Sequence, residues 1–200
     1  MSGTDGSARQ RLIDAAIEAI VEDGYYRASS NQIARRAGLT WGVIQHHFGT
    51  RDRLLLEVVR QSADQLSAGL AAAQLTGTTV AERLGELADV VWQQYRRPEF
   101  LATAQIIMNL SRDPSTARDT LDELDKLSDP TSEHWRRLVD QVIEPARQPP
   151  QLASSLFRIL RGVAVGDELL DSMAARGEER SSDDVERQLL VAALAAALNG

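Results

Sequence analysis

The residues best suited to chemistry lie between positions 40 and 47. Thr40, Trp41, Gly42, Val43, Gln45 and His46 share the outward face of one short predicted helix, while Ile44 and Phe48 point to the core side. A glutamine side chain offers a paired donor and acceptor, the geometry that reads an adenine edge in a duplex groove. Gly42 carries no side chain, so another surface can approach its backbone closely. Trp41 and Val43 can meet a thymine methyl group. The chemistry on offer is hydrogen-bonded and apolar contact with base edges, not bond making.

Two short helices must hold this face. The first starts at Ser29, with Gln32 three residues on as a possible capping box, and carries Ile33, Ala34 and Ala37 on its apolar side. Gly38 stops it and Thr40 caps the next helix. A helix, a glycine turn and a second helix over residues 29–48 form a helix-turn-helix, whose second helix enters the major groove. An ordinary helical hairpin with a solvated outer face has the same pattern. Ahead of it, Leu12, Ile13, Ala16, Ile17 and Ile20 mark one face of an amphipathic helix that Gly24 ends. Residues 1–11 read as a short polar arm without the apolar stretch of a secretory signal. A fourth helix opens near Thr50, with Asp52 in its first turn.

The net charge of −7 argues at first against a nucleic-acid partner. Its distribution argues the other way. From Arg27 to Arg53 there are five arginines and one acid, a local +4, while from Leu56 onward 15 basic and 23 acidic residues give −8. No cysteine is present, which removes disulfides, thiolate metal sites and a cysteine nucleophile, and fits a cytoplasmic protein. The only histidines are His46, His47 and His134. Adjacent helical residues diverge by about 100°, so His46 and His47 do not share a metal. No P-loop, dinucleotide fingerprint or nucleophile elbow is seen. The expectation is no catalytic residue, no metal and no cofactor, and no apolar run suits a membrane span.

The rest of the chain is helical in pattern. Breaks fall at residues 76–78, Pro98, Asp113-Pro114, Asp129-Pro130-Thr131, Gln148-Pro149-Pro150 and a polar loop over 176–183. Trp92, Tyr95, Phe100, Met108, Trp135 and Phe157 gather the large apolar groups of the middle. Gln105, Asn109 and His134 could add polar groups to a ligand pocket. The same residues could equally be core. With few polar candidates, a ligand would be largely apolar or amphipathic. The apolar run Leu189–Leu198 must be buried, inside the fold or against another chain.

Residues 11–55 resemble the amino-terminal domain of the TetR family of helix-turn-helix regulators. The resemblance rests on RLIDAAIEAIVEDGY, on IARRAGLT and on HHFGTRDRLL, in that order and register. It implies an all-α fold, with a three-helix DNA-binding domain over residues 1–50 and a larger helical effector-binding and dimerisation domain over 51–200. It places Ser29 and Ser30 at backbone phosphate, and Thr40, Trp41, Gly42, Val43 and Gln45 on the recognition surface. His46 and His47 fall at phosphate or the groove wall. Arg51 stands where the family carries a lysine at a helix start, a position for phosphate. It further implies a homodimer through residues 151–174 and 184–198, a palindromic double-stranded operator and a small-molecule effector. Trp41, Val43 and Gln45 depart from the family's usual residues, the last replacing a tyrosine. They imply an operator of this chain's own.

Overall fold

The computed structural model describes residues 2–127, 133–174 and 183–199, and every regular element among them is helical. The chain groups into two compact units. One joins Met1–Asp64 to Arg97–Asp129, and the other joins Gln65–Arg96 to Pro130–Gly200. The expected helix start at 129–131 and nearly all of the expected polar loop at 176–183 lie outside the described residues.

The first unit holds α1 (Ser2–Asp23), α2 (Ser30–Arg36), α3 (Trp41–Phe48) and the first part of α4 (Arg51–Ala72). It also holds α6 (Pro98–Leu110) and α7 (Arg118–Leu127). α1 begins at Ser2, so the segment expected as a polar arm is helical instead. Side chains there are tied to α4: Arg9 pairs with Glu57 at 2.6 Å and Gln10 donates to Gln61 at 3.2 Å. One apolar cluster fills the unit. It draws Leu12, Ile13, Ala16 and Ile20 from α1, Ile33 and Ala34 from α2, Ile44 from α3 and Leu54, Leu55 and Val58 from α4. Ala102, Ile106, Leu110 and Leu124 complete it from α6 and α7. Each fully buried Leu or Ile here contributes about 1.5–3 kcal/mol over an exposed one.

The second unit holds α5 (Val80–Tyr95), α8 (Glu133–Val142), α9 (Leu152–Ala174) and α10 (Asp183–Asn199), with a 3-10 turn at Pro145–Arg147. Thr79 caps α5 in a closed capping box with Glu82. The stripe Leu84, Leu87, Ala88 and Val91 is fully buried, as spacings of three and four residues require. Trp135 is fully buried, stands edge-on to Phe157 at 5.2 Å and donates its Nε1–H to the Ala153 carbonyl at 2.7 Å. On α10, Ala195 is buried but Val185 and Leu189 are exposed, so the single chain leaves much of this apolar helix uncovered.

Candidate nucleic-acid interface

The turn geometry of residues 24–49 follows from three glycines with positive φ: Gly24 at 86°, Gly38 at 65° and Gly49 at 77°. Other residues rarely adopt this region, so glycine makes each helix end inexpensive. Ser29 caps α2 and accepts from the Gln32 amide at 3.3 Å. Only half of the expected capping box forms. The Gln32 side chain donates to Asp23 at 2.6 Å rather than back to residue 29. Ser30 is the first residue of α2 and half-buried, while Ser29 is exposed.

α3 sorts its residues cleanly. Ile44 is buried, and Val43 and Phe48 are half-buried against the core. Thr40, Trp41, Gly42, Gln45 and His46 are exposed, with Trp41 at 49%. Val43 therefore divides its surface between core and solvent, and is a weaker contact candidate than its neighbours. His47 is half-buried, its ring 5.1 Å from that of His46. Thr40 is the N-cap of α3 but makes no side-chain cap bond; of the first-turn amides, that of Val43 donates to the Thr40 carbonyl at 3.0 Å. Among the described residues, the side chains of Thr40, Trp41 and Gln45 have no hydrogen-bond partner. A Cβ at Gly42 would meet only Thr40 Oγ1, at 3.7 Å. The fold itself does not require glycine there.

Three of the five arginines in the basic island are engaged within the fold, two of them by acids. Arg36 pairs with Glu22 at 2.6 Å, Asp23 at 3.2 Å and Glu18 at 3.8 Å, and these acids push its pKa up. Arg53 pairs with Glu123 at 2.9 Å and with Asp119, and Arg60 reaches Glu123 at 2.9 Å. Arg51 turns inward: Nε donates to the Ala28 carbonyl at 2.9 Å and a terminal nitrogen to the Tyr25 carbonyl at 2.7 Å. Arg51 thus also binds the α1–α2 loop, through two of its three guanidinium nitrogens. Sequence reasoning did not find this, because the loop carbonyls leave no mark in residue type. The acid run Glu18, Glu22, Asp23 was a usable signal for Arg36. Of the five arginines between 27 and 53, Arg27 and Arg35 are exposed and have no ion pair among the described residues.

The residues expected around a ligand are divided between the two units. Phe100, Gln105, Met108 and Asn109 belong to the first unit; Trp92, Tyr95, His134, Trp135 and Phe157 belong to the second. Gln105 Oε1 accepts from the Tyr25 amide at 3.1 Å, and Asn109 donates to the Gln105 carbonyl at 2.7 Å. Met108 is 58% exposed. Gln105 and Asn109 are thus engaged within the first unit. In the second unit Trp92 donates to Asp167 at 3.1 Å, and Tyr95, Trp135 and Phe157 are buried, with His134 half-buried. A surface cleft of about 300 Å³ runs between Arg136, Asp140, Gln148 and Gln151–Ser154, none of which was expected there. No cluster of three or more His, Asp or Glu that could hold a metal occurs among the described residues.

Residues 12–58 match the family described as bacterial regulatory proteins, tetR family. The HTH-type transcriptional regulator BetI of Escherichia coli (strain K12 / DH10B) is 44% identical over 64 residues, covering 32% of this chain and 33% of that protein. The chain thus spans about a third of the length of the curated relatives it matches. A TetR-family protein from Vibrio parahaemolyticus is similar in structure, with a TM-score of 0.64 at 21% identity over 96% of both chains. The multidrug binding protein EbrR, solved with ethidium, gives a TM-score of 0.60 at 20% identity, over 94% of this chain and 97% of that one. Likeness at these identities speaks for the fold.

Proposed function

From the match of residues 12–58 to the tetR family of bacterial regulatory proteins, we propose that this chain is a TetR-family, sequence-specific DNA-binding transcriptional regulator whose α3 enters the major groove. The observation that carries this reading is the outward face of α3. Trp41, Gly42 and Gln45 lie exposed on a helix whose other side is fixed by buried Ile44. A rigid helix with unpartnered readers is what direct readout needs. Residues 1–50 read DNA, and residues 51–200 pair two copies and receive an effector.

The homodimer draws on α9 and α10. Ile159, Val185 and Leu189 expose apolar surface there, and exposed Gly162 and Ala193 permit close helix approach. A two-fold dimer presents two copies of α3, so the operator is a palindrome. The effector is small and largely apolar, and its binding releases a repressor from DNA. The reading assigns no catalytic step and a cytoplasmic location; no helix among the described residues is long and apolar enough to cross a membrane.

A second reading, a DNA-binding dimer that senses nothing, draws on the burial of Trp92, Tyr95, Trp135 and Phe157 in the second unit's core. The experiment is a gel shift of the DNA flanking the chain's own gene, with and without a panel of small, largely apolar ligands that do not themselves bind DNA. Retardation relieved by a ligand of the panel fits the first reading. Retardation untouched by the whole panel fits the second, and no retardation overturns both.

A further inference from the structure

We propose that Arg27 and Arg35 are the two cations through which the amino-terminal domain engages DNA phosphate. The assignment rests on the reading above that the chain binds duplex DNA. Residues 1–64 contain eight arginines and eight acids, so this segment has no net positive charge with which to attract DNA. Attraction must therefore come from individual guanidinium groups that are free to reach an outside anion. Six of the eight are committed within the fold. Arg9, Arg36, Arg53 and Arg60 lie in ion pairs, while Arg11 and Arg51 donate to backbone carbonyls. Arg27 and Arg35 are the remaining two, both exposed and without a partner among the described residues.

Their placement matches the task. On α2 the buried side is Ile33 and Ala34, and the exposed positions are Asn31 and Arg35, four residues apart on one face. Arg27 stands four residues before Asn31, exposed in the turn that leads into the α2 cap. The first helix of a helix-turn-helix crosses the phosphate backbone, so its outward stripe meets phosphate rather than bases. Neighbouring Arg36 points the other way and is held by Glu22. Two adjacent arginines on α2 therefore divide the work, one fixing α2 to α1 and one left for an outside anion.

This makes phosphate engagement sparse, and sparse engagement has a measurable signature. Each phosphate neutralised on duplex DNA contributes about −0.9 to the slope of log K against log salt. Two arginines per protomer in a two-protomer complex give a slope of about −3.6. The test uses the full chain and a short fluorescein-labelled duplex of mixed sequence, followed by anisotropy from low to moderate salt. Arg27→Gln and Arg35→Gln should each remove about 1.8 from the slope, and the double variant should leave it nearly flat. Lysine at both positions should restore it. Arg60→Gln, whose partner acids lie within the fold, should leave it unchanged. Parent-like slope in the double glutamine variant overturns the assignment alone, as does an equal loss in Arg60→Gln. A parent chain that binds no duplex at any salt overturns the regulator reading and the assignment with it.

Discussion

The guanidinium of Arg51 lies 4.4 Å from the centre of the Tyr25 ring and donates to the Tyr25 carbonyl at 2.7 Å. The Tyr25 amide, in turn, donates to Gln105 Oε1 at 3.1 Å. One residue of the α1–α2 loop is thus fixed from α4 through its carbonyl and ring, and from α6 through its amide. Arg51→Ala should therefore destabilise the fold by about 1.5–3 kcal/mol, the scale of hydrogen bonds to a charged group. It should leave the salt slope of DNA binding near that of the parent. Lysine should restore little, since it lacks the planar fork that reaches two carbonyls. Urea unfolding of the three proteins checks this; an Arg51→Ala chain of parental stability would contradict it.

Gly42 separates stability from function. An exposed glycine inside a helix costs about 1 kcal/mol relative to alanine, and a Cβ there meets nothing closer than 3.7 Å. Gly42→Ala should stabilise the chain by up to about 1 kcal/mol while weakening its DNA binding. Thermal melting and operator titration on the same preparation test the pair of outcomes. Unchanged affinity would remove the case for close backbone approach at this position.

Gly77 is required by packing. A Cβ there would lie 2.6 Å from Glu82 Cβ and 2.8 Å from the Arg83 amide nitrogen, too close for any real side chain. Gly77→Ala should cost about 1–3 kcal/mol through overpacking, read as a lower midpoint in urea.

Glu82, in the first turn of α5, supplies a pH dependence. The Thr79 amide, then the Thr78 hydroxyl and amide, hold its carboxyl down to about 2. A depressed carboxylate stabilises the fold fully above the ordinary glutamate range, and this contribution is lost as pH falls towards about 2. Glu82→Gln should flatten that acid loss in a series of pH-dependent melts. A Glu82→Gln profile parallel to the parent would show that the carboxylate makes no such contribution.

At alkaline pH the tyrosines act with the opposite sign. Burial raises the Tyr25 hydroxyl above its ordinary value, opposed by Arg51, and burial raises Tyr95, opposed by Arg161. The fold favours the neutral form of both. Their contribution is complete below the ordinary tyrosine range and is lost as pH rises through the raised values. Tyr95→Phe should soften the alkaline fall in melting temperature; an unaltered fall would assign it elsewhere.

The helices were legible because their apolar periods and glycine stops are local signals. Gly24 and Gly38 end helices where their residue type said they would, and Ile44 faces the core opposite Gln45. The charge ledger was not legible. A sum over residues 27–53 counts Arg36, Arg51 and Arg53 as free, whereas pairing with Glu22, the Tyr25 carbonyl and Glu123 depends on tertiary proximity. The partners of Gln105 and Asn109 were not legible either. Gln105 accepts from the Tyr25 amide and Asn109 donates to the Gln105 carbonyl one turn back in α6. Sequence pattern reports which face of a helix is buried, not which helix covers it.

The central claim is that α3 reads base edges, and selection from a random duplex library by the full chain tests it most directly. The parent should enrich an inverted repeat. The Gln45→Ala chain should enrich the same repeat with one position per half-site relaxed, a loss of about 1–3 kcal/mol in discrimination there. Enrichment of no common sequence by the parent, or an identical motif from both proteins, would contradict it.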